Sequence, residues 1–347
     1  FYCNNLMNKF VLFLFLICFC KFSFSNNLFE TSYYDVEFFS NNIENDKINE
    51  INEIKKRSLI NILKKTLTNK NYTKIQDLIT VDLSNSLIKN IIINEEKIIN
   101  NKYISRIKVN FDKKKIIEFY RQKKLPYIEF LPNKFLLIIY EEDEISHNLF
   151  TKDNSFYSYY KKNLNANSLF RLPNLDINDR FILRDEDLKK INLEKIKTFL
   201  RKYNLVNASI ILANKNNKNI TYNFILYSDG EIINKKLDFN SLRLNRFFVF
   251  LENETVDSWK NLNQIQNNTL NVINCKIDYF NMPELKEIRN KLNNITIIQN
   301  LKIKSLSYKN IEYEIYFYGN LKILSKLFNL NKLNTKDIDN ACIIKLR

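Results

Sequence analysis

The sequence predicts an α+β protein of three small domains: a strand-helix N-terminal domain, a central mixed-sheet α/β domain and a C-terminal ferredoxin-like β-α-β-β-α-β domain. Three observations carry that expectation. The chain has 347 residues, 45% of them apolar, enough for more than one packed core. Apolar residues recur at helical spacing in some windows and at alternate positions in others, the two patterns interleaving along the chain. Lys134 to Tyr140 reads as a continuous apolar strand, the kind that is buried on both faces. The expected division is 26–131, 132–242 and 243–347, behind a leader at 1–25.

The leader comes first. Met7-Asn8-Lys9 is a more natural start than Phe1, so the first six residues are expected to be untranslated. Phe10 to Cys20 is wholly apolar, flanked by Lys9 and Lys21 and followed by Ser23-Phe24-Ser25, small residues at the positions a signal peptidase requires. Cleavage after Ser25 is expected. As a helix this run rises about 16 Å against a hydrocarbon core of about 30 Å, so export with cleavage is preferred over an uncleaved inner-membrane anchor. Membrane contact is expected only through this segment, if it is uncleaved. The net charge of +16 falls by two when Lys9 and Lys21 leave. Asn, Lys and Ile are abundant while Gly occurs twice and Pro four times, as AT-rich codons dictate, so the basicity is weak evidence for a nucleic-acid partner.

In the N-terminal domain Tyr33 to Phe39 is a strand, and Ile48, Ile51, Ile54, Leu59, Ile62, Leu63 and Leu67 mark one long helix. A short helix near Ser84 to Lys89 leads into Ile91 to Ile93. Tyr103, Ile107, Val109 and Phe111 define the next strand, and Asp112 caps a helix from Lys113 that Pro126 stops. In the central domain Asn154 to Asn163 is an aromatic helix, Leu169 to Leu172 a strand, and Leu188 to Tyr203 a helical pair. Ala208 to Ala213, Ile220 to Tyr227 and Glu231 to Phe239 are strands, the last two joined at Asp229-Gly230, a strong hairpin signal. Both glycines are expected at positive φ.

Arg243 to Leu262 is a bridging helix with the only Trp, Trp259. The last domain then runs as strand Leu270 to Tyr279, a helix opened by Pro283, strands Ile295 to Ile303 and Ile311 to Tyr318, helix Leu321 to Phe328 and strand Cys342 to Leu346. In that topology the first and last strands are antiparallel neighbours, which brings Cys275 and Cys342 face to face. The pair is expected either as a disulfide of an oxidising compartment or as two buried thiols.

With these segments in place, the chain resembles a family of exported proteobacterial proteins catalogued only as domain of unknown function 2066. The resemblance is to an order of features over about residues 33 to 347. It rests on the opening strand and long helix, Tyr103 to Phe111 running into Asp112 to Tyr120, and the strand Phe135 to Tyr140. It rests further on Phe156, Tyr157, Tyr159 and Tyr160; on Leu172-Pro173 with Asp176 and Asp179; and on Phe199-Leu-Arg-Lys-Tyr203 before the strand Ala208 to Leu212. Leu306-Ser307, Tyr318-Gly319 and Leu324 complete it. The family usually has Trp around the aromatic helix and Gly after the Tyr203 position, where this chain has Tyr and Asn204. The resemblance implies a periplasmic location and no assigned activity.

Catalytic chemistry has little to stand on. His147 is the only His, so neither a His-based zinc cluster nor a Ser triad has its parts, and no Gly-rich phosphate loop occurs. No cofactor is expected. The acidic run Glu141, Glu142, Asp143 and Glu144 closes a central strand, where open α/β sheets place ligands. A divalent-cation module or enzyme there is the alternative, against the ordinary reading of a solvated turn. RNA binding is the second alternative, from the topology of the last domain. Against it, Glu312 and Glu314 share a face with Tyr316 and Tyr318 and repel phosphate. The leading expectation is a non-enzymatic periplasmic protein that works by contact with other envelope proteins.

Overall fold

The computed structural model describes residues 28–151, 154–163, 168–216, 219–239, 243–336 and 342–347. The expected leader, its apolar run and its cleavage position lie outside these residues. The described chain is a mixed α+β structure with three sheets.

The first sheet has the order β1-β3-β2, from β1 (Tyr34–Phe39), β2 (Ile88–Ile99) and β3 (Lys102–Phe111), all antiparallel. On β3 the residues Tyr103, Ser105, Ile107, Val109 and Phe111 point inward, the period-two pattern of a sheet covered on one side. The cover is α1 (Ile43–Thr66), whose Ile54, Leu59, Ile62 and Leu63 form its buried stripe. The short α2 (Asn69–Thr73) and α3 (Val81–Leu87) follow it. Asp112 accepts from the amides of Lys114 and Lys115 and so starts α4 (Lys113–Gln122), as expected.

The central sheet is ordered β5-β4-β7-β8-β9, with β6 (Phe170–Arg171) also on β4. Its strands are β4 (Phe135–Glu142), β5 (His147–Asn148), β7 (Asn207–Asn216), β8 (Asn219–Ser228) and β9 (Glu231–Leu237). Seven consecutive residues of β4, Phe135 to Glu141, are buried, and they feed two cores on opposite faces. Phe135, Leu137 and Ile139 pack with α5 (Ser155–Asn163) and α9 (Leu244–Asn263). Leu136, Ile138 and Tyr140 pack with α7 (Asp185–Lys189) and α8 (Leu193–Lys202). Asp229 and Gly230 both have positive φ and join β8 to β9, the geometry a primed two-residue turn demands.

The C-terminal sheet is ordered β11-β12-β10-β14-β13, from β10 (Leu270–Asp278), β11 (Ile298–Ser307), β12 (Asn310–Tyr318), β13 (Leu333–Lys336) and β14 (Cys342–Leu346). One face is covered by α10 (Met282–Asn294) and α11 (Leu321–Leu330). The expected antiparallel pairing of first and last strands does not occur: β14 runs parallel to β10, with Cys275 opposite Cys342. The reason is a strand the sequence pattern did not show. β13 takes the antiparallel direction at the sheet edge, and β14 returns between it and β10.

The two outer regions share a single apolar core that joins residues 28–127 to 265–344. They are tied by reciprocal backbone bonds between Tyr127 and Ile265 and by the Arg121 guanidinium, which donates to the Thr296 carbonyl at 2.7 Å. The central region connects through α9. There Lys260, 5% exposed, donates to the carbonyls of Lys64 and Leu67 at the C-terminal end of α1, where helix carbonyls lack partners and favour a cation.

Candidate functional site

The acidic strand end was the foremost candidate, and each carboxylate there has its own local role. Glu141 is buried, pairs with Lys215 on β7, and accepts from the amide and hydroxyl of Ser155 at 3.3 Å each, at the start of α5. Glu142 pairs with Lys189 at 2.8 Å. That bond is the main reason the Lys189 ammonium is held well above its usual pKa. Asp143 accepts from the amides of Ile145 and Ser146 and from the Ser146 hydroxyl, at 2.9, 2.7 and 2.7 Å. These bonds draw its pKa down and fold the turn back into β5. Glu144 is exposed on the same turn. The four therefore do not converge, and among the described residues no group of three or more His, Cys, Asp or Glu side chains is placed to hold a metal ion. His147 Nδ1 lies 2.9 Å from the Tyr140 hydroxyl and 3.2 Å from Glu142, closing the strand end sideways.

Two segments singled out in the sequence for their resemblance meet in space. Asp176 caps α6 (Ile177–Ile182), and on that helix Asp179 is wholly buried. Asp179 accepts from the Tyr203 hydroxyl at 2.6 Å, from Lys202 at 2.7 Å and from the Leu175 amide at 2.9 Å. The Tyr203 hydroxyl in turn accepts from the Asn174 amide at 2.9 Å, and Arg171 donates to the Tyr203 carbonyl at 3.0 Å. Burial first, then the Asp179 bond, pushes the Tyr203 phenol well above its usual range. Asp176 is held low chiefly by Lys202. A buried carboxylate with this many donors fixes the loop between β6 and α6.

Sequence reasoning missed a second polar device. β4 pairs with β6 at Phe135 and Leu136 and with β5 at Glu141 and Glu142, which leaves the backbone around Ile139 without a strand on that side. Side chains supply the bonds. The Tyr157 hydroxyl accepts from the Ile139 amide at 2.8 Å, and Asn154 donates to the Ile139 carbonyl at 3.1 Å while capping α5 through Phe156 and Tyr157.

Cys275 and Cys342 are joined as a disulfide, their Cα atoms 4.5 Å apart. On β12, Glu312 and Glu314 alternate with the buried Ile311, Tyr313, Ile315 and Phe317, as the alternation predicts, and each lies near a β11 lysine.

A groove of 1290 Å³ lies between the two outer regions, bordered by the start of edge strand β2, by α4 and by edge strand β11. Its walls carry Lys89, Lys114 and Arg289, and two buried polar atoms there, Asn110 Oδ1 and the Tyr313 hydroxyl, have no hydrogen-bond partner. No family model matches this chain, and no curated protein matches it significantly.

Proposed function

We propose that this chain is an exported envelope protein, related to the domain of unknown function 2066 group, that works in the periplasm by binding other envelope proteins through the groove between its outer regions. The observation that carries the location is the apolar run Phe10 to Cys20 between Lys9 and Lys21, with Ser23 and Ser25 behind it. The bonded pair Cys275 and Cys342 is independent support, because structural disulfides persist in oxidising compartments. The groove supports the mode of action. Edge strands β2 and β11 offer backbone groups to an extended segment, and the unpartnered polar atoms in its wall are costly to leave unmade.

On this reading the chain has three units, at 26–131, 132–242 and 243–347. The last is a ferredoxin-like β-α-β-β-α-β arrangement, β10-α10-β11-β12-α11-β13, with β14 inserted beside β10. A photoreactive residue at Asn300 in the groove, activated in living cells, is expected to trap a discrete envelope protein. Labelling of cytosolic proteins, or identical adducts from a control position on β9, would refute the proposal.

A further inference from the structure

The C-terminal sheet has two unlike ends. At one end β10 begins at Leu270 and β12 finishes at Tyr318, and this end packs on the rest of the chain. Arg121 lies 4.6 Å over the Tyr318 ring, and Asn267 donates to the Leu125 carbonyl at 2.9 Å. At the other end, about 27 Å away at 3.3 Å per strand residue, the chain turns twice in open solvent. The connection from β10 to α10 exposes Phe280 (82%) and Met282 (66%), and the turn from β11 to β12 exposes Leu306 (70%) and Tyr308 (87%).

These side chains form one tip. Lys309 sits between the two aromatic rings, its ammonium 5.4 Å from the Phe280 centroid and 5.3 Å from that of Tyr308. The charge around it is positive. Two carboxylates lie here, Asp278, shared by Lys276 and Lys345, and Glu284, which accepts from the Phe280 amide at 2.6 Å; with Lys309 and the exposed Lys332 the lysines outnumber them.

We infer that this distal tip is a contact for the surface of an anionic lipid bilayer, with Phe280, Met282, Leu306 and Tyr308 entering the headgroup boundary and Lys309 meeting lipid phosphates. The lysines favour lipid over protein, since exposed Phe, Tyr and Met by themselves suit either. Lysine is depleted in protein interfaces, whereas aromatic side chains with flanking lysines are what a bilayer boundary selects. The shape agrees, because the exposed groups stand on turns that project from the fold. A lysine stem lies along apolar surface while its head stays in water, which suits Lys309 between its two rings. This inference goes beyond the proposed function and does not depend on export.

The test is flotation of the chain from residue 28 onward, since every described core is built from residues beyond that point. Vesicles of phosphatidylglycerol and phosphatidylcholine in equal parts are compared with pure phosphatidylcholine. The protein is expected to float with the anionic vesicles and to stay below with the neutral ones. Phe280→Ser with Tyr308→Ser is expected to weaken binding at least about ten-fold, and Lys309→Gln about five-fold. Both ring positions are exposed, so thermal melts of these variants should match the unaltered protein. In Tyr308→Trp the new indole is expected to be quenched by brominated anionic lipid, while the native Trp259, buried in α9, is not. The inference is overturned if the double variant floats as well as the unaltered chain. It is equally overturned if no anionic vesicle is bound; a photoreactive residue at 308 that then traps a protein in cells would make the tip a protein-docking element.

Discussion

The central and C-terminal sheets solve the same burial problem with different numbers of covered faces. Strand β4 of the central sheet is buried without interruption and sends alternate side chains into two separate cores. Strand β12 of the C-terminal sheet is buried only at every second residue, and Glu312, Glu314, Tyr316 and Tyr318 look outward. The central sheet is held by helices on both sides. The C-terminal sheet has helices on one side and a covalent link between β10 and β14. Both candidate interaction surfaces touch the C-terminal sheet at its margins, the groove at edge strand β11 and the tip at the end turns.

The most severe way to break the comparison is to remove one side chain from each face of β4. Leu137→Ala and Ile138→Ala are each expected to cost about 3 kcal/mol. Although adjacent in sequence they point into different cores, so the double variant should lose about the sum; a large coupling in chemical denaturation would show that the two cores are one. Removing the covalent link comes next. Cys275 and Cys342 are 67 residues apart, and the chain-entropy relation for that loop gives about 4 kcal/mol for Cys342→Ser. A free-thiol count on the unfolded, non-reduced protein should read zero for this pair.

The helix shared by the regions gives a pH test. Burial lowers the Lys260 pKa to about 8, against an ordinary value of 10.5, with Asp257 opposing. A group that sheds its proton more readily in the folded state than in the unfolded state destabilises the fold at low pH. The cost is fully present below pH about 8 and fades as the pH rises toward about 10.5. The shift corresponds to at most about 3 kcal/mol, because the carbonyls of Lys64 and Leu67 also hold the ammonium. Melting temperatures of the native protein should therefore rise over that window relative to Lys260→Met; parallel curves would remove the effect.

Smaller still is Tyr157→Phe, which strands the Ile139 amide in the core and is expected to cost about 1–3 kcal/mol. The least effect belongs to the open face of the C-terminal sheet. Val272→Ala, at a position 52% exposed on β10, should change stability by no more than about 0.5 kcal/mol. A loss comparable to that at Leu137 would mean the face is covered.

Features that depend on local pattern were legible in the sequence. The unbroken run of β4, the alternation of β12, the Asp229-Gly230 turn and the Asp112 cap all appear as expected, because each is decided by neighbours a few residues apart. β13 was not legible, since Leu333-Asn-Thr-Lys336 buries only Leu333 and shows neither a run nor an alternation. Without it the direction of β14 could not be inferred. Helix α6 was hidden for a similar reason: Ile177 and Phe181 are exposed, and the helix is held by Asp176 and Asp179. At the acidic strand end the turn was readable, but the partners Lys189 and Lys215 arrive from 47 and 74 residues away. Tertiary partners settle whether a carboxylate cluster is open or neutralised, and they leave no mark in local spacing.

The account stands or falls on export. A reporter enzyme that is active only outside the cytosol, fused after Glu30, tests it most directly. Full reporter activity, abolished when a charge such as Leu16→Arg interrupts the apolar run, is the result predicted. An inactive reporter retained in the cytosol would contradict the periplasmic location, and with it the proposed partners.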